Sequence, residues 1–363
     1  MNVVFRLVSL LAAMAALGAP AQDSTEPLRL AVVGLEHGHV EGALWNAANR
    51  DDIELVGVWS DYPELWERLA AKYGLDPLLH YDDLEQMLDE KAPEAASVMT
   101  STAGHLDAVA ACAQRGVHVL VEKPLDFDIE RARLMAEIAQ AENILLLTNF
   151  ETSWYRSVST AKQIADDRGT PIRRAVFRHG HKGPAEIGCS ADFLSWLTDP
   201  VQNGGGAITD FGCYGAVIMT WLMDGERPTS VHAVTQQLKP ELYPDVDDDA
   251  TIVLTYPGAT AVIQASWAWT HDNKDMDLHA EGFSLHAGKW DDLTLREADS
   301  EAVAVGELID NSGLENEWTY LRRVVRGESP IDPLSSLELN LIATEILDAA
   351  RESARTGRAV ELN

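Results

Sequence analysis

Between Leu28 and Asn149 short apolar runs alternate with helical stretches, and that alternation leaves the chain few folds to choose from. The apolar runs are Leu28–Val33, Ile53–Trp59, 96–100, His118–Glu122 and 144–147, with Thr148-Asn149 closing the last. Helical stretches at 40–49, 64–73, 82–90, 105–114 and 130–142 stand between or beside them, several closed by a glycine such as Gly74 or Gly116. Strands joined through single helices run parallel, with helices on both faces, so the expectation is an α/β, doubly wound parallel sheet. Ligands of such sheets bind in the crevice outside the carboxyl ends of the strands.

One strand end carries the most chemistry. In His118-Val-Leu-Val-Glu-Lys-Pro-Leu125, the apolar run reads as a buried parallel strand that Pro124 stops, because proline has no N–H for the ladder. Glu122 and Lys123 then stand at the crevice. Desolvation there is expected to lower the Lys123 ammonium toward the range useful for proton transfer. The plain alternative is a solvated lysine paired with Glu122.

The first strand runs into Gly34-Leu-Glu-His-Gly-His-Val-Glu-Gly42, the strand–glycine turn–helix opening of a nucleotide-binding βαβ unit. Against the pattern G-x-G-x-x-G, Glu36 holds the second glycine's place and His39 the third. A carboxylate at Glu36 would repel a pyrophosphate, although Gly38 and Gly42 offer flexibility further along. The second strand ends in Ser60-Asp61. Asp61 is placed to accept hydrogen bonds from a ribose 2′-hydroxyl, which favours NAD over NADP, or to cap the next helix.

After Asn149 the pattern changes. A helix near 158–167 and a strand at 172–178 lead to His179-Gly-His181. A glycine-rich run, Gly204-Gly-Gly-Ala-Ile-Thr-Asp-Phe-Gly-Cys-Tyr214, then opens a helix reaching Met223. From Ser230 strands follow one another without helices (230–238, 250–256, 259–269, 275–280 and shorter ones to about 296), which indicates a mostly antiparallel sheet. In the third of these, Ile263, Ala265, Trp267 and Trp269 share one face, read as core. The other face of the sheet is a plausible subunit interface. Helices at 314–326 and 336–356 finish the chain. Asp247-Asp-Asp249 reads as a turn.

The 363 residues suffice for two cores. A formal net charge of −30 makes nucleic acid and anionic membrane surfaces poor partners. Residues 1–22 read as a Sec-type signal peptide: Arg6, then an apolar run from Leu7 to Leu17, then Ala19-Pro-Ala21 as the cleavage site. The run is too short to span a membrane, so the mature protein is expected in the periplasm or outside the cell, with no membrane insertion. Three cysteines, Cys112, Cys189 and Cys213, have no framework spacing and are expected as buried thiols.

The order of elements, with Glu122-Lys123-Pro124 and the Gly204–Tyr214 run, resembles the Gfo/Idh/MocA oxidoreductase family, nearest its glucose–fructose oxidoreductase branch. The likeness spans essentially all of the mature chain, including Thr100 to His105 and the ending 349–362. It implies a Rossmann domain over 23–149, then an α/β domain over 150–363 built on an open, mostly antiparallel sheet, with a C-terminal helix free to pack back on the first. It implies tightly bound NAD(H), a carbohydrate substrate, and a homodimer or homotetramer formed through the second sheet. The groove residues it points to are Gly34, Glu36, His37, Gly38, His39 and Asp61, joined by Thr100, Ser101, His105, Glu122, Lys123 and Asn149. Many members carry histidine where this chain has Tyr214; tyrosine there resembles the glucose–fructose oxidoreductase branch. Asp210 and Tyr214, four apart on one helix, share a face. Tyr214 is then the acid/base at the reacting hydroxyl, Lys123 lowers the phenol's pKa and orients the substrate, and Asp210 fixes the sugar. His179 and His181 are candidate sugar contacts. A divalent metal at His37, His39, His179 and His181 stays open beside that, as does hydrogen bonding of the first pair to cofactor phosphates. Three activities remain: a sugar oxidoreductase, a redox-neutral hydrolase or lyase acting on glycosides, and a sugar-binding protein without catalysis.

Overall fold

The computed structural model describes residues 26–310 and 316–362, so the proposed signal peptide lies outside the described residues. The first half runs β1 (Leu28–Val33), α1 (Val40–Ala48), β2 (Ile53–Trp59), α2 (Pro63–Tyr73), β3 (His80–Tyr81), α3 (Leu84–Lys91), β4 (Ala95–Val98), α4 (His105–Ala113), β5 (His118–Glu122), α5 (Ile129–Ala141) and β6 (Leu146–Asn149). Its six strands order β3-β2-β1-β4-β5-β6, every pair parallel. Strand order reverses between β1 and β4, which opens the crevice at their carboxyl ends. Val119, Leu120 and Val121 are buried between helices on both faces, which is why β5 reads as an unbroken apolar run. β3 escaped the sequence reading because two residues carry no period.

The second half runs α6 (Arg156–Arg168), β7 (Ile172–Gly180), α7 (Ala191–Leu197), α8 (Pro200–Asn203), α9 (Ala207–Asp210), α10 (Gly212–Leu222), β8 (Ser230–Gln236), β9 (Asp249–Thr255), β10 (Thr260–Ser266), β11 (Asn273–Ala280), β12 (Phe283–Ala287), β13 (Leu293–Glu297), β14 (Val303–Ala304), α11 (Glu317–Val325), α12 (Leu337–Thr356) and β15 (Val360–Glu361). Nine strands order β14-β13-β12-β11-β7-β10-β9-β8-β15, and only the β7–β10 pair is parallel. α10 and α12 cover one face, over buried Ala175, Phe177, Ile252 and Ile263. Arg174, His232, Val234 and Thr255 are exposed on the other.

Two expectations need correcting. The helix expected from the glycine-rich run to Met223 is two helices, α9 and α10, meeting at Phe211. Here Asp247 accepts N–H groups from Gly206 and Ile208 and holds the start of α9 in place. The strand expected to reach Trp269 stops at Ser266, where Gly180 ends the parallel partner β7.

α11 returns to the first half. Trp318, Tyr320 and Leu321 are buried in one cluster with Leu28, Leu30 and Trp66, and the Arg50 guanidinium donates to Asn316 and Thr319. Cys112 and Cys213 are buried and Cys189 half-buried, all as free thiols. Among the described residues no helix is long and apolar enough to cross a membrane.

Candidate active site

Lys123 follows β5 directly, and its ammonium is buried, with 8% of the residue exposed. Its Nζ forms an ion pair with the Asp210 carboxylate and donates to the Asp210 carbonyl at 3.1 Å. The second carboxylate oxygen of Asp210 accepts the Trp267 indole N–H at 2.8 Å. Thus β5, α9 and the residue after β10 meet on one carboxylate. Burial pushes the Lys123 ammonium down, but Asp210 outweighs it and holds the group above its ordinary value. The expectation of a lysine lowered by desolvation is therefore corrected. Asp210, expected to fix the sugar, lines the cavity and engages Lys123 and Trp267 through its carboxylate.

The pair opens on a cavity of about 370 Å³ lined by residues of both halves, among them His37, His39, Glu151, His181, Tyr214 and Lys274. Lys123 and Lys274 each place Nζ 5.3 Å from the centre of the Tyr214 ring. Tyr214 is 3% exposed, and burial followed by the nearby charge of Glu151 raises its phenol well above the ordinary value. The expected lowering by Lys123 does not occur, because burial and surrounding anions oppose a phenolate.

The second histidine pair divides. His181 lines the cavity, stacks edge-on against Phe211 at 4.9 Å and accepts the Gly183 N–H on Nδ1 at 2.9 Å. Burial lowers it, so it is neutral with its proton on Nε2, a donor for a ligand. His179 is buried behind the cavity, edge-on to Tyr214 at 5.6 Å, and its Nδ1 has no partner. It is not among the residues that line the cavity, and it supports the Tyr214 ring from behind. Neither residue joins the first histidine pair in a cluster of possible metal ligands; among the described residues that cluster is His37, His39 and Glu122.

The β1–α1 turn forms the other wall. Gly34 has φ +88°, and a Cβ there would lie 2.7 Å from the Thr100 backbone nitrogen, so glycine is required. Glu36 turns its carboxylate back to accept the Leu35 N–H at 2.7 Å. Burial raises that carboxyl, and the Asp61 and Asp192 charges add to the rise. From the second half, α7 lies against the turn: Trp196 donates its indole N–H to the Glu36 carbonyl at 3.2 Å, and the His37 ring packs against Phe193 and Trp196.

Glu122 is buried and accepts from His39 Nδ1 at 3.1 Å and from Asn149 Nδ2 at 2.9 Å. Burial alone would raise its carboxyl; the two imidazoles and these hydrogen bonds hold it well below the carboxylate range. Asp61 is exposed at the end of β2 and does not cap α2, whose N-cap is Tyr62. Ser101 donates to Gln202 at 2.8 Å, tying the loop after β4 to α8. His105 is buried and holds the Leu125 carbonyl at 3.0 Å, so it braces the segment after Lys123.

A dinucleotide fits this frame. The parallel sheet turns its switch point to the crevice, Gly34 permits close backbone approach, and Asp61 is free for a ribose. The buried Asn149 Oδ1 is without a partner at the same strand ends. Within the turn, Glu36 takes the Leu35 amide, the Met99 carbonyl the His37 amide and His37 Nδ1 the His39 amide. Sequence reasoning missed Glu151, Lys274 and Asp272, which stand in no motif. It placed Trp267 in the core, where the ring does sit, without its hold on Asp210.

Comparison with known proteins agrees. Residues 28–150 match the model of an oxidoreductase family with an NAD-binding Rossmann fold, and residues 159–285 match the GFO/IDH/MocA C-terminal domain. The chain is 24% identical over 355 residues to D-xylose 1-dehydrogenase [NADP(+)] of Haloarcula marismortui, covering 94% of this chain and 95% of that one. It is 23% identical to an NADP(+)-dependent scyllo-inositol 2-dehydrogenase of Bacillus subtilis, over 66% of this chain and 70% of the relative. An inositol dehydrogenase homologue from Azotobacter vinelandii, solved with NAD+, superposes with a TM-score of 0.78 at 20% identity, covering 93% of this chain and 98% of its own. The aldose-aldose oxidoreductase of Caulobacter crescentus, solved with glycerol, gives 0.76 at 20% identity, over 93% and 100%. With both of its domains matched, this chain belongs to the Gfo/Idh/MocA family of oxidoreductases and carries its NAD-binding Rossmann domain.

Proposed function

We propose that this protein transfers hydride between NAD(H) and a ring hydroxyl of a sugar or cyclitol, with Lys123 as the proton carrier. The observation that carries this is the buried Lys123–Asp210 pair, which faces a cavity shared with the glycine turn. The relatives named for xylose and inositol support the substrate class. The groove formed by Gly34, Asp61 and Asn149 would hold the dinucleotide, and the nicotinamide supplies hydride transfer. Everything else falls to the chain. Lys123, as an ammonium, donates a proton to a substrate carbonyl oxygen in the direction of reduction. Tyr214 contributes a neutral hydroxyl to the same cavity, and His181 a donor N–H. Asp210 positions Lys123, and Trp267 positions Asp210. The proton goes to oxygen as hydride reaches carbon, so the alcohol forms without net charge left on the substrate.

Asp61 favours NAD. The cover of α7 over the glycine turn supports a retained cofactor, which suits export by the leader at 1–22 to a compartment poor in free nicotinamide. The open face of the nine-stranded sheet is the proposed assembly surface. A retained cofactor also supports a second reading, redox-neutral cleavage of a glycoside through a transient keto-sugar. Mass spectrometry of small molecules released from freshly isolated protein tests retention. Turnover of a panel of sugars and cyclitols, followed at the reduced-nicotinamide absorbance and by product analysis, separates net oxidation from cleavage. Absence of both reactions, with sugar still bound, would leave only a binding protein.

A further inference from the structure

We propose that His37, His39 and Glu122 form a binding site for one divalent first-row transition-metal ion, open to the substrate cavity. One ligand atom from each of the three lies within 4.8 Å of the others. His39 Nδ1 is 3.1 Å and His37 Nε2 3.9 Å from the same carboxylate oxygen, Glu122 Oε2. The ligands come from two elements that the sheet brings together, the β1–α1 turn and the end of β5. Two imidazoles and one carboxylate suit zinc or a neighbouring first-row ion; calcium and magnesium prefer oxygen donors alone.

The surroundings hold the ligands as such a site requires. Asn149 donates to the other Glu122 oxygen at 2.9 Å and fixes the carboxylate plane. Phe193 and Trp196 pack against the His37 ring, with centroids at 5.2 and 5.7 Å. Three protein ligands leave a coordination position free, and His37 and His39 both line the cavity that holds Lys123. An oxygen of a substrate in that cavity can complete the set. Binding has a cost: His37 Nδ1 accepts the His39 amide at 3.2 Å, so its neutral ring carries the proton on Nε2. The ion takes the place of that proton and of the one His39 Nδ1 shares with Glu122. Metal uptake therefore releases or relocates protons.

The test needs no turnover, so it stands apart from the oxidoreductase reading. Untagged, chelator-treated protein is titrated with zinc by calorimetry and with cobalt(II) by visible absorption. The expected result is one ion per chain with cobalt d–d bands. His39 has half its side chain exposed, so His39→Ala keeps the fold by circular dichroism and loses affinity by about 100-fold or more. Glu122→Gln has the same direction, and His181→Ala, in the same cavity but outside the triad, binds as the parent does. Binding no tighter in the parent than in His39→Ala, or loss in His181→Ala with retention in His39→Ala, would overturn the site.

Discussion

The carboxyl ends of β5 and β1 face one crevice and have gone opposite ways. The end of β5 keeps an ammonium paired to a buried carboxylate, with an indole behind it. The end of β1 has replaced two glycines of a phosphate cradle with Glu36 and His39, and the Glu36 carboxylate already takes the Leu35 amide. Proton chemistry depends on a few side chains at fixed distances, so one substitution abolishes it. Phosphate binding is spread over backbone amides and tolerates the loss of one. The contrast predicts a steep response at β5 and a shallow one at β1.

The largest effect is expected from Lys123→Met, with turnover falling about 1,000-fold, the range of general acid–base contributions. It also strands Asp210 as a buried charge, at a cost of about 3–5 kcal/mol of stability. The double variant Lys123→Met/Asp210→Asn recovers the stability and not the turnover. Thermal unfolding and steady-state rates measured together separate the two consequences. If the double variant stayed as unstable as the single one, the pair would not be the feature that makes β5 steep.

Tyr214→Phe comes next, at about 10- to 100-fold in kcat, since a neutral hydroxyl supplies one hydrogen bond to the transition state. A loss equal to that of Lys123→Met would return the proton-carrier role to the phenol. Lys123 also sets a pH signature. Its ammonium is held above its ordinary value, so the neutral amine needed to accept a proton in alcohol oxidation grows with pH. The oxidation rate should rise nearly 10-fold per unit from about pH 6 to about pH 9, while reduction stays flat. A plateau in oxidation near neutrality would show that Asp210 does not hold the proton on Lys123.

The same contrast governs what could be read from sequence. β5 was legible because strand, proline stop and lysine are adjacent in the chain, although the strand, expected to carry Lys123 at its end, closes one residue earlier at Glu122. Asp210 and Tyr214 were legible as neighbours, although Phe211 breaks the helix between them. Their partners were not: Trp267 lies 57 residues from Asp210 and Lys274 lies 123 from Glu151, and no local pattern ties them. The direction of the pKa shifts was misread for a related reason. Burial of Lys123 follows from sequence, but the carboxylate that reverses its effect is 87 residues away. At β1 the departure from the glycine pattern was visible, while the choice of Glu122 over His179 and His181 as companion of His37 and His39 depends on which strand ends meet.

The smallest effect lies at Glu36, and it decides whether β1 is a weakened phosphate cradle at all. Burial raises this carboxyl, and Asp61 and Asp192 raise it further, so it ionises later than an ordinary glutamate as pH increases. The ionised form puts a negative charge against the cofactor phosphates; the protonated form does not. NAD+ affinity of the cofactor-free protein should therefore fall as pH rises through the Glu36 transition. Glu36→Gln keeps an acceptor for the Leu35 N–H and removes the charge. It should bind NAD+ on the order of fivefold more tightly at neutral pH, the size of a partly screened charge interaction, and should lose the pH dependence. Fluorescence titrations of parent and variant at about pH 5 and about pH 8 compare the two proteins above the ordinary glutamate range. Equal affinities at both values in both proteins would mean that the phosphates do not pass Glu36, and β1 would no longer be the shallow counterpart of β5.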